Sequence, residues 1–348
     1  MSEHGLVALF GSGETSANGR KVYDWVMSRM SPPIRTAVLE TPAGFQPNSA
    51  LVAGKVAEFI RERMANYRPQ VEVIAARQRG TPFSPDNPEV VAPLFAANLI
   101  FLGPGSPTYT VRQLQDSLAW QAVVARHRLG ASLVLASAAT VAAGTYALPV
   151  YEIFKAGADL HWQAGLDLFG LYGLSVVFVP HWDNAEGGAD LDTRRCFMGL
   201  ERFTRLLAML PATVTVVGID EHTALVVDLH AGTLRVLGRG CITLVLRGSE
   251  QRCTGGDAFA LAELGDYHLP EPGAGLPAEI WSRAHGVQEE APLPRTPPPE
   301  LLALVQEREA ARARRDWAAA DSLRQRMAAL GWQVGDTPQG PRLDPTEE

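Results

Sequence analysis

The chain is poor in cysteine, with three in 348 residues, Cys196, Cys241 and Cys253. No two are close together and none has a metal-ligand spacing, which argues against a disulfide framework and a thiolate metal site and fits a reducing compartment. Lysine is equally scarce, at Lys21, Lys55 and Lys155, so arginine supplies nearly all of the 31 cationic side chains. These are outnumbered by 38 carboxylates, for a net charge of -7. A broad basic face for nucleic acid is therefore not expected. Long apolar runs are also missing. The most apolar stretch, residues 131–150, contains Ser137, Thr140, Gly144 and Pro149 and reads as a core strand followed by a helix, not a membrane span. Residues 1–10 are too short and too weakly charged for a signal peptide. The expectation is a cytoplasmic globular protein of one large or two ordinary domains that is not associated with a membrane.

What is present is an alternation of strand-like and helix-like segments. Short apolar runs at residues 5–10, 36–39, 71–74, 99–102 and 132–136 are separated by helical patterns at 20–30, 49–67 and 111–127. This rhythm predicts an α/β fold: a mostly parallel sheet with helices on both faces. Further strands are expected at 174–179, 213–217 and 241–247, with a hairpin around His230-Ala231-Gly232. Residues 268–299, rich in Pro and Gly, read as a linker after an α/β domain spanning 1–267. From residue 300 the helical pattern returns. Asp316 is placed to cap a second helix opening at Trp317, and Gly331 to end it. Such a hairpin buries little alone and should dock on the main domain, on a second subunit of a homodimer or on another partner.

The chemistry-bearing residues follow the apolar runs, where ligands of parallel sheets bind. Val134-Leu135-Ala136-Ser137-Ala138-Ala139 delivers one serine amid small residues, as a strand-to-helix nucleophile turn requires. The same pattern also suits an Ala/Ser-rich core element. A serine nucleophile needs a base, an acceptor to orient the base and N–H donors for an oxyanion. His181, ending an apolar run, suits the base, and Glu221 suits the orienting acceptor, with Glu152 as a rival. Gly103-Pro104-Gly105 offers the donors or simply a tight turn. Glu14, in the first glycine loop, and Glu152 are also candidates for contacting the substrate. Asp183 and Glu186 suit a cationic substrate group, and Arg194 or Arg195 a carboxylate, unless all four belong to a solvated loop.

Taken together, Ser137-Ala138-Ala139, Gly103-Pro104-Gly105, Pro180-His181 and Gly218-Ile219-Asp220-Glu221-His222-Thr223-Ala224-Leu225 resemble the motifs of the S51 serine peptidases, the aspartyl dipeptidase and cyanophycinase family. The resemblance covers roughly residues 5–250. It implies a fold like class I glutamine amidotransferases and flavodoxins, and a cofactor-free, metal-free hydrolysis of a peptide or amide bond in a small peptide or an acidic-residue-containing substrate. By carry-over Ser137 is the nucleophile, His181 the general base and Glu221 its orienter, with Gly105 and Ala138 supplying the oxyanion N–H groups. Leu135 and Ala139 stand where the family has glycine, and Pro104 interrupts the glycine loop. The alternative is a catalytically inactive amidotransferase-like binding protein.

The tail carries a second resemblance. Glu307-Arg308, Ala311-Arg312, Asp316-Trp317, Ala320-Asp321, Leu323-Arg324, Leu330-Gly331 and Asp336-Thr337-Pro338-Gln339-Gly340 are similar to the C-terminal end of cysteinyl-tRNA synthetases. That implies a tRNA or protein partner. Arg308, Arg312, Arg314, Arg315, Arg324 and Arg326 are the candidate phosphate contacts. The chain has no His-Ile-Gly-His-like or Lys-Met-Ser-Lys-Ser-like motif, so synthetase activity is not implied.

Overall fold

The computed structural model describes residues 4–246, 248–290, 297–337 and 340–346. In chain order the elements are β1 (Val7–Phe10), α1 (Ala17–Met27), β2 (Arg35–Leu39), α2 (Ser49–Arg63), β3 (Gln70–Ile74), α3 (Pro88–Val91), β4 (Leu99–Leu102), α4 (Pro107–Leu114), α5 (Leu118–Arg128), β5 (Ser132–Ala136), α6 (Ala138–Ala142), β6 (Tyr146–Ala147), α7 (Val150–Phe154), β7 (Gln163–Ala164), β8 (Val176–Val179), α8 (Gly199–Leu207) and β9 (Thr215–Ile219). Then follow β10 (Thr223–Asp228), β11 (Thr233–Gly238), β12 (Cys241–Leu246), β13 (Ser249–Thr254), β14 (Ala258–Ala260), α9 (Ala278–Glu290), α10 (Pro299–Ala313), α11 (Trp317–Ala329), β15 (Trp332–Thr337) and β16 (Gly340–Pro345).

The main sheet has eight strands in the order β14-β11-β10-β1-β5-β4-β2-β3. Its β1, β5, β4, β2 and β3 run parallel, and β10, β11 and β14 add antiparallel strands. Strands β1, β4 and β5 are buried along their whole length, which is why they read as unbroken apolar runs. Alternate residues leave to opposite faces. Ala8, Phe10, Val38, Phe101 and Val134 pack with Val22 and Val26 of α1 and Val56 and Ile60 of α2. Leu9, Leu39, Ile100 and Leu135 join the opposite core with Val123 of α5.

The main sheet is the mostly parallel sheet expected from the sequence, and β8 and β9 lie beside it in a second sheet of order β13-β12-β9-β8. The reason is topological. The free edge of β1 is taken by β10, with Leu9 opposite Leu225, so β8 and β9 have no place beside it. Phe178, Val217 and Ile219 of the second sheet share the core that holds Leu135. Its other face packs on Phe203 and Leu206 of α8. The residue after β5, Ser137, follows Leu135 by two and so falls on the face that the second sheet covers.

Two expectations are corrected. The stretch read as a linker, 268–299, is not a plain one, because α9 lies within it; residues 291–296 lie outside the described residues. Ile280 and Ala284, at helical spacing, bury against α5, and Arg126 Nη1 donates to the Ala284 carbonyl at 3.2 Å. The tail is more than a helical hairpin. Leu301, Leu304 and Met327 build a small core with Trp332 and Val334 of the β15–β16 hairpin. This unit docks on the α/β body through Asn66 Nδ2 to the Asp336 carbonyl (3.3 Å) and Arg342 Nη1 to the Met27 carbonyl (3.2 Å). The Asp316 side chain caps α11 by accepting from the Ala319 N–H, and Gly331 follows the helix at φ 78°. Pro338 and Gln339 lie outside the described residues. Among the described residues no helix is long and apolar enough to cross a membrane.

Leu135 is 1% exposed between the two sheets. Leu135→Ala should cost about 2–5 kcal/mol in chemical denaturation. Leu302→Ala, at a side chain 50% exposed, should stay within about 0.5 kcal/mol of the parent.

Candidate active site

Four loops meet beyond the carboxyl ends of β1, β4, β5 and β8, joined by the turn after β9. The strand-to-helix turn is sharp: Ser137 sits between β5 and α6 at φ 50° and ψ -105°. Non-glycine residues adopt such backbone only when the surroundings hold them there, at a cost of about 1–3 kcal/mol. The holding contacts are visible. Ser137 N–H donates to the Phe10 carbonyl at 3.3 Å. Thr140 Oγ1, buried beneath the turn, donates to the same carbonyl and to that of Leu135, at 3.0 and 2.9 Å. Leu135 and Ala139, the departures from glycine, both point into the shared core, so the turn forms around them.

His181 follows β8 with a positive φ of 52°. Its Nε2 lies 3.0 Å from Ser137 Oγ, and its Nδ1 lies 3.0 Å from Glu221 Oε1. With Nδ1–H donating to the carboxylate, Nε2 is left as the acceptor of the serine proton. Glu221 follows β9. The hydrogen bond from His181, aided by one from Asn184 and opposed by burial, holds its carboxyl down at about 2. Glu152 is not the third member: Glu221 occupies His181 Nδ1, and among the described residues the buried Oε2 of Glu152, in α7, has no hydrogen-bond partner and does not line the cavity.

The glycine loop after β4 brings Gly105 to the same cavity as Ser137 and Ala138. Gly105 has φ 156°, and a Cβ there would stand 1.8 Å from the Pro42 carbonyl oxygen, so the position admits only glycine. Among the described residues, the N–H groups of Gly105 and Ala138 have no acceptor. Pro104 carries no N–H, but neither of these two donors depends on it.

The cavity has a volume of about 340 Å³ and is walled by Val141, Val150, Tyr151, Phe154, Cys196 and Phe197. Phe197 lies 6.0 Å from the His181 ring and 5.4 Å from the Phe154 ring, centre to centre. Lys155 and Glu186 contribute one charge of each sign to the lining. Burial pushes the Cys196 thiol up to about 12.

Several residues singled out from the sequence do other work. Asp183 Oδ1 accepts the Glu221 N–H at 2.7 Å, so it fixes that turn and does not line the cavity. Arg194 is exposed and holds Asp192 with Nε and Nη2 at 2.8 and 2.9 Å. Arg195 stacks on Trp182, 3.7 Å from the ring centre. Neither arginine reaches the cavity. Glu14 is half-buried near His181, and burial raises its carboxyl from the ordinary value, but it is not in the cavity wall.

The sequence reading missed Asn184, whose Nδ2 donates to Glu221 Oε1 at 3.0 Å from a buried position. It also missed Ser12, whose Oγ accepts the His222 N–H at 3.1 Å and ties the first loop to the Glu221 turn. Their signal was only adjacency, Asn184 to His181 and Ser12 to Glu14. Among the described residues, no group of three or more His, Cys, Asp or Glu side chains could hold a metal ion.

Comparison with known proteins divides the chain in two. A peptidase from an acI-B1 Actinobacterium superposes with a TM-score of 0.59 at 22% identity, covering 74% of this chain and 98% of that one. The α/β body has the fold of that peptidase. Residues 297–340 match the family model of the cysteinyl-tRNA ligase anticodon binding domain. Cysteine–tRNA ligase 1 of Burkholderia lata is 47% identical over 58 residues, 17% of this chain and 12% of the ligase. The ligase of Methanosarcina acetivorans is 43% identical over 51 residues, 15% and 11% of the two chains. The chain thus spans about an eighth of the length of these ligases, and the likeness is confined to the tail.

The depressed Glu221 carboxyl makes stability pH-dependent with a definite sign. Ionised Glu221 favours the folded state above its ordinary value of 4.5, and this contribution is lost as pH falls towards about 2. The stability gap between the parent and Glu221→Gln should therefore hold steady above that range and close within it, as measured by urea denaturation. Curves that stay parallel throughout would contradict the assignment.

Proposed function

We propose that the protein is a serine hydrolase that cleaves a peptide or amide bond of a small substrate. The observation that carries this reading is the unbroken series Ser137 Oγ, His181, Glu221, with both contacts at 3.0 Å, starting from a strained turn. The order and geometry meet the requirements for activating a serine.

In this mechanism Ser137 Oγ attacks the scissile carbonyl while its proton passes to His181 Nε2. Glu221 keeps the imidazole in the correct tautomer and stabilises the imidazolium. The oxyanion forms opposite the N–H groups of Gly105 and Ala138, donors already oriented before the reaction. His181 then gives its proton to the leaving nitrogen, the C–N bond breaks and an ester to Ser137 remains. Water, deprotonated by His181, attacks that ester and releases the acid, returning the proton to Ser137. Asn184 shares Oε1 of Glu221 with the imidazole and acts as a positioning residue. The nucleophile, the base, its orienting carboxylate and the oxyanion donors all come from the chain itself, and the one co-reactant is water.

For the tail we propose RNA binding, with tRNA as the probe. Arg308 and Arg312 are withdrawn from this role. Arg308 is 5% exposed and holds Asp336 at 3.0 Å, and Arg312 Nη1 is 3.1 Å from the same carboxylate. Arg314, Arg315, Arg324 and Arg326 are exposed, and so is Trp317, at 58%. Arginine with an open indole offers both phosphate contact and base stacking.

A fluorophosphonate probe should label the parent protein at Ser137, and Ser137→Ala should abolish labelling. Glu221→Gln should slow it by up to about 10⁴-fold by spoiling the tautomer. A folded parent that takes no label favours an inactive binding protein instead. In gel shifts with bulk tRNA, the full chain should bind at low salt and lose affinity as salt rises. No shift at any salt removes the RNA reading.

A further inference from the structure

We propose that the cavity selects a substrate whose acyl residue is apolar or aromatic, not acidic. The inference rests on the hydrolase reading for its chemistry, though the walls alone determine the choice. A carboxylate side chain taken out of water needs a guanidinium or ammonium group facing it. Arg194, Arg195 and Arg202 flank the lining residues Cys196 and Phe197, and each is committed elsewhere. Arg194 holds Asp192 through Nε and Nη2. Arg195 stacks on Trp182 and donates from Nη1 to the Trp182 carbonyl at 3.3 Å. Arg202 donates from Nε to the Met198 carbonyl and from Nη2 to the Phe197 carbonyl, at 2.6 and 2.8 Å.

These bonds shape the wall. Arg195, Cys196 and Phe197 all have positive φ, at 58°, 57° and 68°. Three consecutive non-glycine residues in this region are costly and need external support. Arg195 N–H bonds the Trp182 carbonyl at 2.9 Å, and Cys196 N–H bonds the His181 carbonyl at 3.1 Å. The outcome is that the Phe197 ring, not a guanidinium, is placed beside the His181 imidazole and against Phe154.

The remaining lining points the same way. Val141, Val150, Tyr151 and Phe154 supply apolar surface. Among the described lining residues the one ammonium group, that of Lys155, lies over the Tyr151 ring with Nζ 4.8 Å from its centre, and Glu186 supplies an opposing charge. An acidic acyl residue would lose its hydration and meet phenyl rings. A Phe or Leu residue would bury its side chain against them.

The test separates binding from catalysis. Ser137→Ala binds substrate without turning it over, so dipeptide affinities can be read by calorimetry. Phe-Ala and Leu-Ala should bind Ser137→Ala about tenfold or more tighter than Asp-Ala. Adding Phe154→Ala should narrow that ratio, adding Phe154→Arg should shift it towards Asp-Ala, and Arg194→Ala should leave it unchanged. Asp-Ala binding as tightly as Phe-Ala, or no binding by any of the three, overturns the proposal. If Phe-Ala is preferred but the parent neither cleaves it nor takes the fluorophosphonate label, the hydrolase reading fails and the pocket assignment stands.

Discussion

Two contacts of 3.0 Å on one imidazole ring join two separate sheets. Ser137 comes from the end of β5 in the first sheet, while His181 and Glu221 come from the ends of β8 and β9 in the second. The geometry therefore depends on how the sheets pack. Leu135, Phe178, Val217 and Ile219 share one core and set that packing directly beneath the three side chains. The constraint also explains the strain above it. Ser137 and His181 both have positive φ, and His222 beside Glu221 does too. Strain of this kind survives only on a rigid base, and the buried strands provide one.

Polar support completes the arrangement. Glu221 is held through its N–H by Asp183 and through Oε1 by Asn184 and His181. Ser12 holds the next residue, His222. The loop 181–184 thus supplies the imidazole and two of the groups that orient its acceptor. The short spacing within one loop makes this support cheap in chain entropy, because fixing one turn fixes all of them.

Much of the arrangement is legible in the sequence because it rests on local rules. Apolar runs ending in Gly103-Pro104-Gly105, Ser137 and Pro180-His181 place those groups at strand ends. Gly218 through Leu225 carries a family pattern that includes Glu221. What the sequence does not carry is long-range pairing. The displacement of β8 and β9 into a second sheet follows from β10 occupying the edge of β1, and only the fold reveals it. The fates of Arg194, Arg195 and Asp183 are similar. Their charge suggests substrate contact, yet which way each side chain turns depends on Asp192, Trp182 and the Glu221 N–H. In α9, the Pro and Gly around it mask the short stripe of Ile280 and Ala284. In the tail, the match over residues 297–340 and the capping by Asp316 follow from local spacing, whereas the burial of Arg308 depends on the later strand that carries Asp336.

The central claim is that Ser137 is an activated nucleophile facing two backbone N–H donors. A crystal structure of the protein after reaction with a phosphonate probe tests it most directly. The account predicts phosphorus bonded to Ser137 Oγ, with the phosphoryl oxygen about 2.7–3.1 Å from the N–H groups of Gly105 and Ala138. An adduct on another residue, or a phosphoryl oxygen turned away from both N–H groups, would contradict it.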